Sequence, residues 1–115
     1  MGTIADFNES ELSVINETLT ERYGRKTQIH LADSELRLSP TDRELTSCPT
    51  VFWQEGKVSF VIFKVASERY RCQFFYGINQ QYGTGIDEYD NIGDCILSLL
   101  RVQADYELQK NLQQD

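Results

Sequence analysis

The sequence predicts an α+β domain, an antiparallel sheet of four or five strands with an N-terminal and a C-terminal helix packed on it. Three observations carry this. Residues 12–23 and 92–106 hold apolar residues at helical spacing. Residues 50–76 between them are dense in aromatic and β-branched residues, and short turns bearing Gly or Ser divide that centre. At 115 residues the chain has room for one core, so residues 1–115 read as a single domain.

The first helix is bounded by capping chemistry. Asn8 suits an N-cap, Glu11 stands at N3 to close a capping box, and Phe7 is placed to staple against Leu12. Leu12, Ile15, Leu19 and Tyr23 recur along one face, Glu17 and Glu21 along the other, and Gly24 ends the helix. A segment of period two then puts Thr27, Ile29 and Leu31 on one side. Its phase slips across residues 32–35, ahead of Leu36 and Leu38; a turn there gives a hairpin, a bulge one bent strand. Ser39-Pro40 ends the strand, because proline cannot donate to a ladder, and Pro40 suits the start of a brief helical turn reaching Glu44 or Leu45.

Residues 50–54, 57–65 and 69–76 read as the sheet core, with turns at residues 55–56 and 66–68. In the third of these, Tyr70, Cys72, Phe74 and Tyr76 alternate with Arg69, Arg71 and Gln73, giving one buried and one wet face. The middle strand is apolar on both sides, Val58, Phe60 and Ile62 against Val61, Phe63 and Val65. Either the helices and a loop cover both sides, or one side is left for a partner. The C-terminal helix starts near Asp90 or Asn91 and carries Ile92, Cys95, Ile96, Leu99, Val102 and Tyr106 as one stripe. From about residue 108 the chain turns polar and reads as a frayed tail.

The net charge is −7, with a pI near 4.6. Such a chain is repelled by phosphate backbones and anionic lipid, which argues against nucleic-acid and membrane partners. The acidity sits at the ends. Residues 1–47 hold 9 acids and 5 bases, residues 77–115 hold 7 and 2, while residues 48–76 hold 2 and 4. Cys48, Cys72 and Cys95 are an odd, widely spaced set with no Cys-x-x-Cys pair, and His30 is the single histidine, so a zinc site lacks ligands. Odd thiols without a signal sequence point to a reducing cytoplasm. Cys72 and Cys95 fall on apolar faces and read as inert core residues.

The segment 82–94 gathers Asp87, Glu88, Asp90, Asn91 and Asp94 just past Gly83 and Gly85 and directly before a helix. Calcium takes six to eight oxygen ligands, which Asp, Glu and Asn on a flexible loop supply. The spacing is not that of an EF-hand: position 3 from Asp87 is Tyr89, and position 12 is Ser98 instead of a bidentate Glu. Asp33, Glu35 and Asp42 are candidate additional ligands. The competing reading has the same carboxylates capping the helix and complementing its dipole. Gly83-x-Gly85 lacks the third glycine of a dinucleotide fingerprint, since Glu88 stands in its place. No triad motif surrounds His30, which an alternating strand places on the surface, so no enzyme is expected. Trp53, Phe52, Phe60 and Phe74 read as core.

In size, low pI and its Asp/Glu-rich loop 87–94, the chain resembles the small acidic calcium-binding proteins of filamentous cyanobacteria, which lack EF-hands. That resemblance implies intracellular Ca²⁺ binding, as buffer or sensor, and carries over no individual site residue. The expectation is therefore a cytoplasmic Ca²⁺-binding protein with Asp87, Glu88, Asp90, Asn91 and Asp94 as ligands. The alternative is a non-enzymatic regulatory module that binds a protein partner, or a second copy of itself, through an apolar sheet face and its acidic ends.

Overall fold

The structure, a computed structural model, describes residues 4–77 and 80–113. Helix α1 spans Glu9–Tyr23. The capping box closes as expected: Glu11 N–H donates to Asn8 Oδ1 at 2.8 Å and Asn8 N–H to Glu11 Oε1 at 2.7 Å. At the far end Gly24 adopts φ +71° and its N–H donates to Thr20 O at 2.8 Å, a left-handed cap open to glycine without strain. Five strands follow, β1 (His30–Leu36), β2 (Thr46–Glu55), β3 (Val58–Ala66), β4 (Arg69–Gly77) and β5 (Gln80–Gly83), then helix α2 (Ile92–Gln113). The strands pair in chain order, every neighbour antiparallel, so short connections suffice throughout.

The phase slip in β1 produces neither a hairpin nor a bulge. Its register against β2 runs unbroken from His30–Phe52 to Leu36–Thr46. β1 is an edge strand, and its residues are largely exposed, Leu31 at 62%. Neither of its faces enforces a strict alternation of apolar side chains. At Pro40 the chain makes a single turn and no helix: Asp42 N–H donates to Ser39 O at 3.0 Å and Ser39 N–H to Asp42 Oδ2 at 3.1 Å. Helix α2 continues to Gln113, well past Tyr106 where the apolar stripe ends.

The register sorts the sheet into two faces. On one, Trp53, Phe60, Phe74 and Tyr82 lie in one row across β2 to β5, and Leu31, Val51, Ile62 and Cys72 in the next. Both helices cover this face. Ile15 and Leu19 of α1 and Ile92, Cys95, Ile96, Leu99 and Leu100 of α2 join Trp53, Phe60, Ile62 and Phe74 in one core. Ring contacts fix the α2 end, with Tyr106 edge-on to Phe74 at 5.9 Å between centres and tilted against Tyr76 at 5.3 Å. Tyr76 O–H donates to Glu107, and burial together with that carboxylate pushes its pKa up to about 12.

A charged group lies inside this layer. Lys64 shares the parity of Phe60 and Ile62 and is buried. Its Nζ donates to Glu11 Oε1 at 2.9 Å and to Asp6 O at 3.1 Å, and lies 5.9 Å from the Phe7 ring centre. Tyr70 O–H donates to the other Glu11 oxygen. Burial alone would raise the Glu11 pKa; the bonds from Tyr70 and Asn8 and the Lys64 ammonium outweigh it and hold the carboxyl below its ordinary value. Glu11 thus caps α1 and ties it to β3 and β4. Burial and the Glu11 carboxylate hold Tyr70 well above the ordinary tyrosine range. Among the described residues no helix is long and apolar enough to cross a membrane.

Candidate functional site

The acidic segment 84–91 connects β5 to α2, anchored by Tyr89, which is buried and bridges to Tyr70 through N–H to O bonds of 2.8 and 2.9 Å. Around that anchor the candidate ligands disperse. Glu88 points to Arg71 at 3.1 Å. Asn91 is the N-cap of α2, its Oδ1 accepting from Asp94 N–H at 3.0 Å and its carbonyl from Cys95 N–H at 3.0 Å. Asp87, Asp90 and Asp94 are exposed. Among the described residues no three His, Cys, Asp or Glu side chains are grouped to hold one ion. Asp33 and Glu35 lie on β1 and Asp42 closes the turn at Ser39.

The other sheet face is different in kind. Both helices pack on its opposite side, and its residues lie in registered rows. His30, Phe52, Val61, Gln73 and Gly83 form one row across all the strands. Gln54, Ser59, Phe75 and Gln81 form the row on one side of it, and Ala32, Thr50, Phe63 and Arg71 the row on the other. All of these except Gly83 and Arg71 line a trough of about 580 Å³. Its floor is Val61 and Phe63. Phe52 stands up from it, 40% exposed, with the His30 ring stacked at 5.1 Å. Ser34 and Thr50 are joined at 2.8 Å through their hydroxyls. An apolar centre ringed by neutral polar side chains is the anatomy of a protein interface.

Charge is excluded from this face in a chain where 25% of residues are charged. Of the three rows only Arg71 carries a fixed charge, and it stands at one end, where its guanidinium donates to Leu38 O at 3.0 Å and to Glu88. These bonds draw the β1–β2 connection and the acidic segment to that end of the sheet. There the trough continues past Phe63 and Gln73 into a groove that includes Leu36, Arg37, Ile86 and Asp87. At the opposite end it continues past Ser59 and Phe75 to Lys57.

Two sequence readings change here. Trp53, Phe60 and Phe74 are core, but Phe52 is not; odd-even parity separates Phe52 from Trp53 and Phe75 from Phe74, and that signal was present. No helix packs on the second side of β3, although Val61 and Val65 are buried there and Phe63 is half-buried. Val61 and Phe63 have Phe52 and Phe75 as their neighbours, and the rim is made of Gln and Ser residues that composition alone does not single out. His30 is exposed, as an alternating strand required. The thiols are all free; the Cys72 thiol beside Cys95 and burial hold Cys95 far above the ordinary thiol range, so it does not ionise near neutrality. The chain matches no known protein family, no characterised protein and no solved structure, so its function rests on this geometry.

Proposed function

We propose that this protein is a non-enzymatic binding module whose site is the open sheet face. The observation that carries the reading is the row His30, Phe52, Val61, Gln73, Gly83 with its two flanking rows, apolar at the centre and almost free of fixed charge. At its centre Phe52 is 40% exposed, with Phe63 and Phe75 half-buried beside it, an apolar patch ringed by neutral polar side chains. Placing a photo-crosslinking amino acid at Phe52 in the full chain in cells tests it. The expected result is discrete adducts from position 52 and none from position 108 on α2, where Leu108 is exposed. No adduct from position 52 would overturn the reading.

Ca²⁺ binding by the segment 87–94 is the second reading. It draws support from Asp87, Asp90 and Asp94, which stand in water with no Lys or Arg paired to them among the described residues. An ion there would have to recruit Asn91 or backbone carbonyls, because the segment as folded does not group three acidic side chains.

A further inference from the structure

Resting on the binding-module reading, we infer that the occupant of the open sheet face is a second copy of this chain, stacked face to face about a two-fold axis. Three properties of the face fit that occupant. The first is area. The five strands hold 7, 10, 9, 9 and 4 residues, so at about 3.3 Å per residue and about 4.8 Å between strands the face offers about 600 Å² per copy. Two such faces reach the lower end of the roughly 1,200–2,000 Å² that a specific interface buries.

The second is charge. Two copies of a chain with net charge −7 repel wherever their acidic helices and loops meet. The sheet face is the surface from which those charges are absent, so two copies meet there without burying unpaired ions. Lys57 borders the Gln54, Ser59, Phe75, Gln81 row, and Arg37 and Asp87 together border the other end, where Glu88 pairs with Arg71, so neither end sets a large net charge against its copy. The third is shape. Phe52 protrudes from β2 beside a trough floored by Val61 and Phe63 of β3, so each copy offers both a knob and a hole, and a two-fold axis running along the strands between β2 and β3 sets each knob over the other copy's hole. Equal twist of the two sheets lets them stack about 10 Å apart with strands nearly aligned.

Sedimentation of the purified full chain from about 5 to 200 μM, a span wide enough to resolve micromolar self-association, tests the inference. The wild type should sediment as a dimer. Phe52→Asp, at a position exposed in the single copy, should weaken association at least thirtyfold, the loss of a central aromatic anchor. Gln54→Arg with Gln81→Arg changes only exposed side chains, folds regardless, and should do the same by facing like charges. A wild type that stays monomeric throughout overturns the inference, as does a dimer untouched by both the Phe52 and the paired Gln changes. Adducts from position 52 to a different protein, with the wild type monomeric, would sink the second-copy inference and leave the binding-module reading standing. Absence of any adduct would end both.

Discussion

Replacing Lys64 by Met breaks a buried ion pair that ties α1 to the sheet. Methionine fills most of the lysine stem's volume, so the change removes charge more than packing. What is lost is the donation to Glu11 at 2.9 Å and to Asp6 O at 3.1 Å. What remains is a buried carboxylate served by Tyr70 O–H and Asn8 N–H. Removing one partner of a buried pair costs about 3–5 kcal/mol, and these two surviving donors place the loss near the lower figure. With a urea slope of about 1.5 kcal/mol/M the unfolding midpoint should fall by about 2 M. The effect should depend on pH. In the wild type Glu11 is held below its ordinary pKa, so it contributes stability that is present above the unfolded value and is lost as pH falls through the folded one. The variant lacks the ammonium, and burial then dominates, so it gains less from ionising Glu11. Wild type and variant should therefore converge as pH falls from about 4.5, the ordinary carboxyl value, toward pH 3. Glu11→Gln keeps a side chain that can close the capping box at N3 and isolates the charge. The double variant should recover about 2 kcal/mol relative to the sum of the single losses. A loss below about 1 kcal/mol at neutral pH, or one identical at pH 7 and pH 3, would refute the reasoning, since a buried pair cannot be that weakly coupled.

Other outcomes follow from the same structure. Asn91→Ala removes the acceptor for Asp94 N–H and should cost about 1 kcal/mol in urea unfolding, with Asn91→Asp restoring most of it. Tyr70 and Tyr76 both have raised pKa values, the latter to about 12. Their contribution is complete below pH 10 and is lost as pH rises through the folded values, so the urea midpoint should drop between pH 9.5 and 11.5, and drop less in Tyr76→Phe. Under the Ca²⁺ reading, millimolar Ca²⁺ should raise Tm more than Mg²⁺ does, and Asp87→Asn with Asp90→Asn should abolish the rise; no rise at millimolar metal would end that reading.

Much of the architecture was legible because local chemistry and periodicity agreed. Asn8, Glu11 and Gly24 mark the ends of α1 by capping alone, and the stripe from Ile92 to Tyr106 has one periodicity. β5 was harder to read, since Gln80-Gln81-Tyr82-Gly83 carries no alternating pattern and owes its strand to the neighbouring β4. β1 misled because an exposed edge strand does not need consistent parity. In the site, parity alone separates Phe52 from Trp53, but which parity the helices would cover is a tertiary fact. Lys64 illustrates the limit: within an apolar strand it shares the parity of Phe60 and Ile62, yet its partner Glu11 lies far off in sequence and was already explained by the capping box. The acidic segment was conspicuous in the sequence, while in the fold Tyr89 anchors it and Glu88 and Asn91 turn to separate partners.

Hydroxyl-radical footprinting of the purified chain at rising protein concentration tests the central claim most directly, by reading the accessibility of individual aromatic rings. In dilute solution Phe52 and Phe75 should be labelled readily, while Trp53, Phe60 and Phe74, which are 1% exposed or less, stay protected. As concentration rises, labelling at Phe52 and Phe75 should fall and that at Leu108 should not change. Protection of Phe52 at every dilution would place it in the core of a single copy. Unchanged labelling of both rings at high concentration and in cell extract would mean that nothing covers the open face, and would contradict the account.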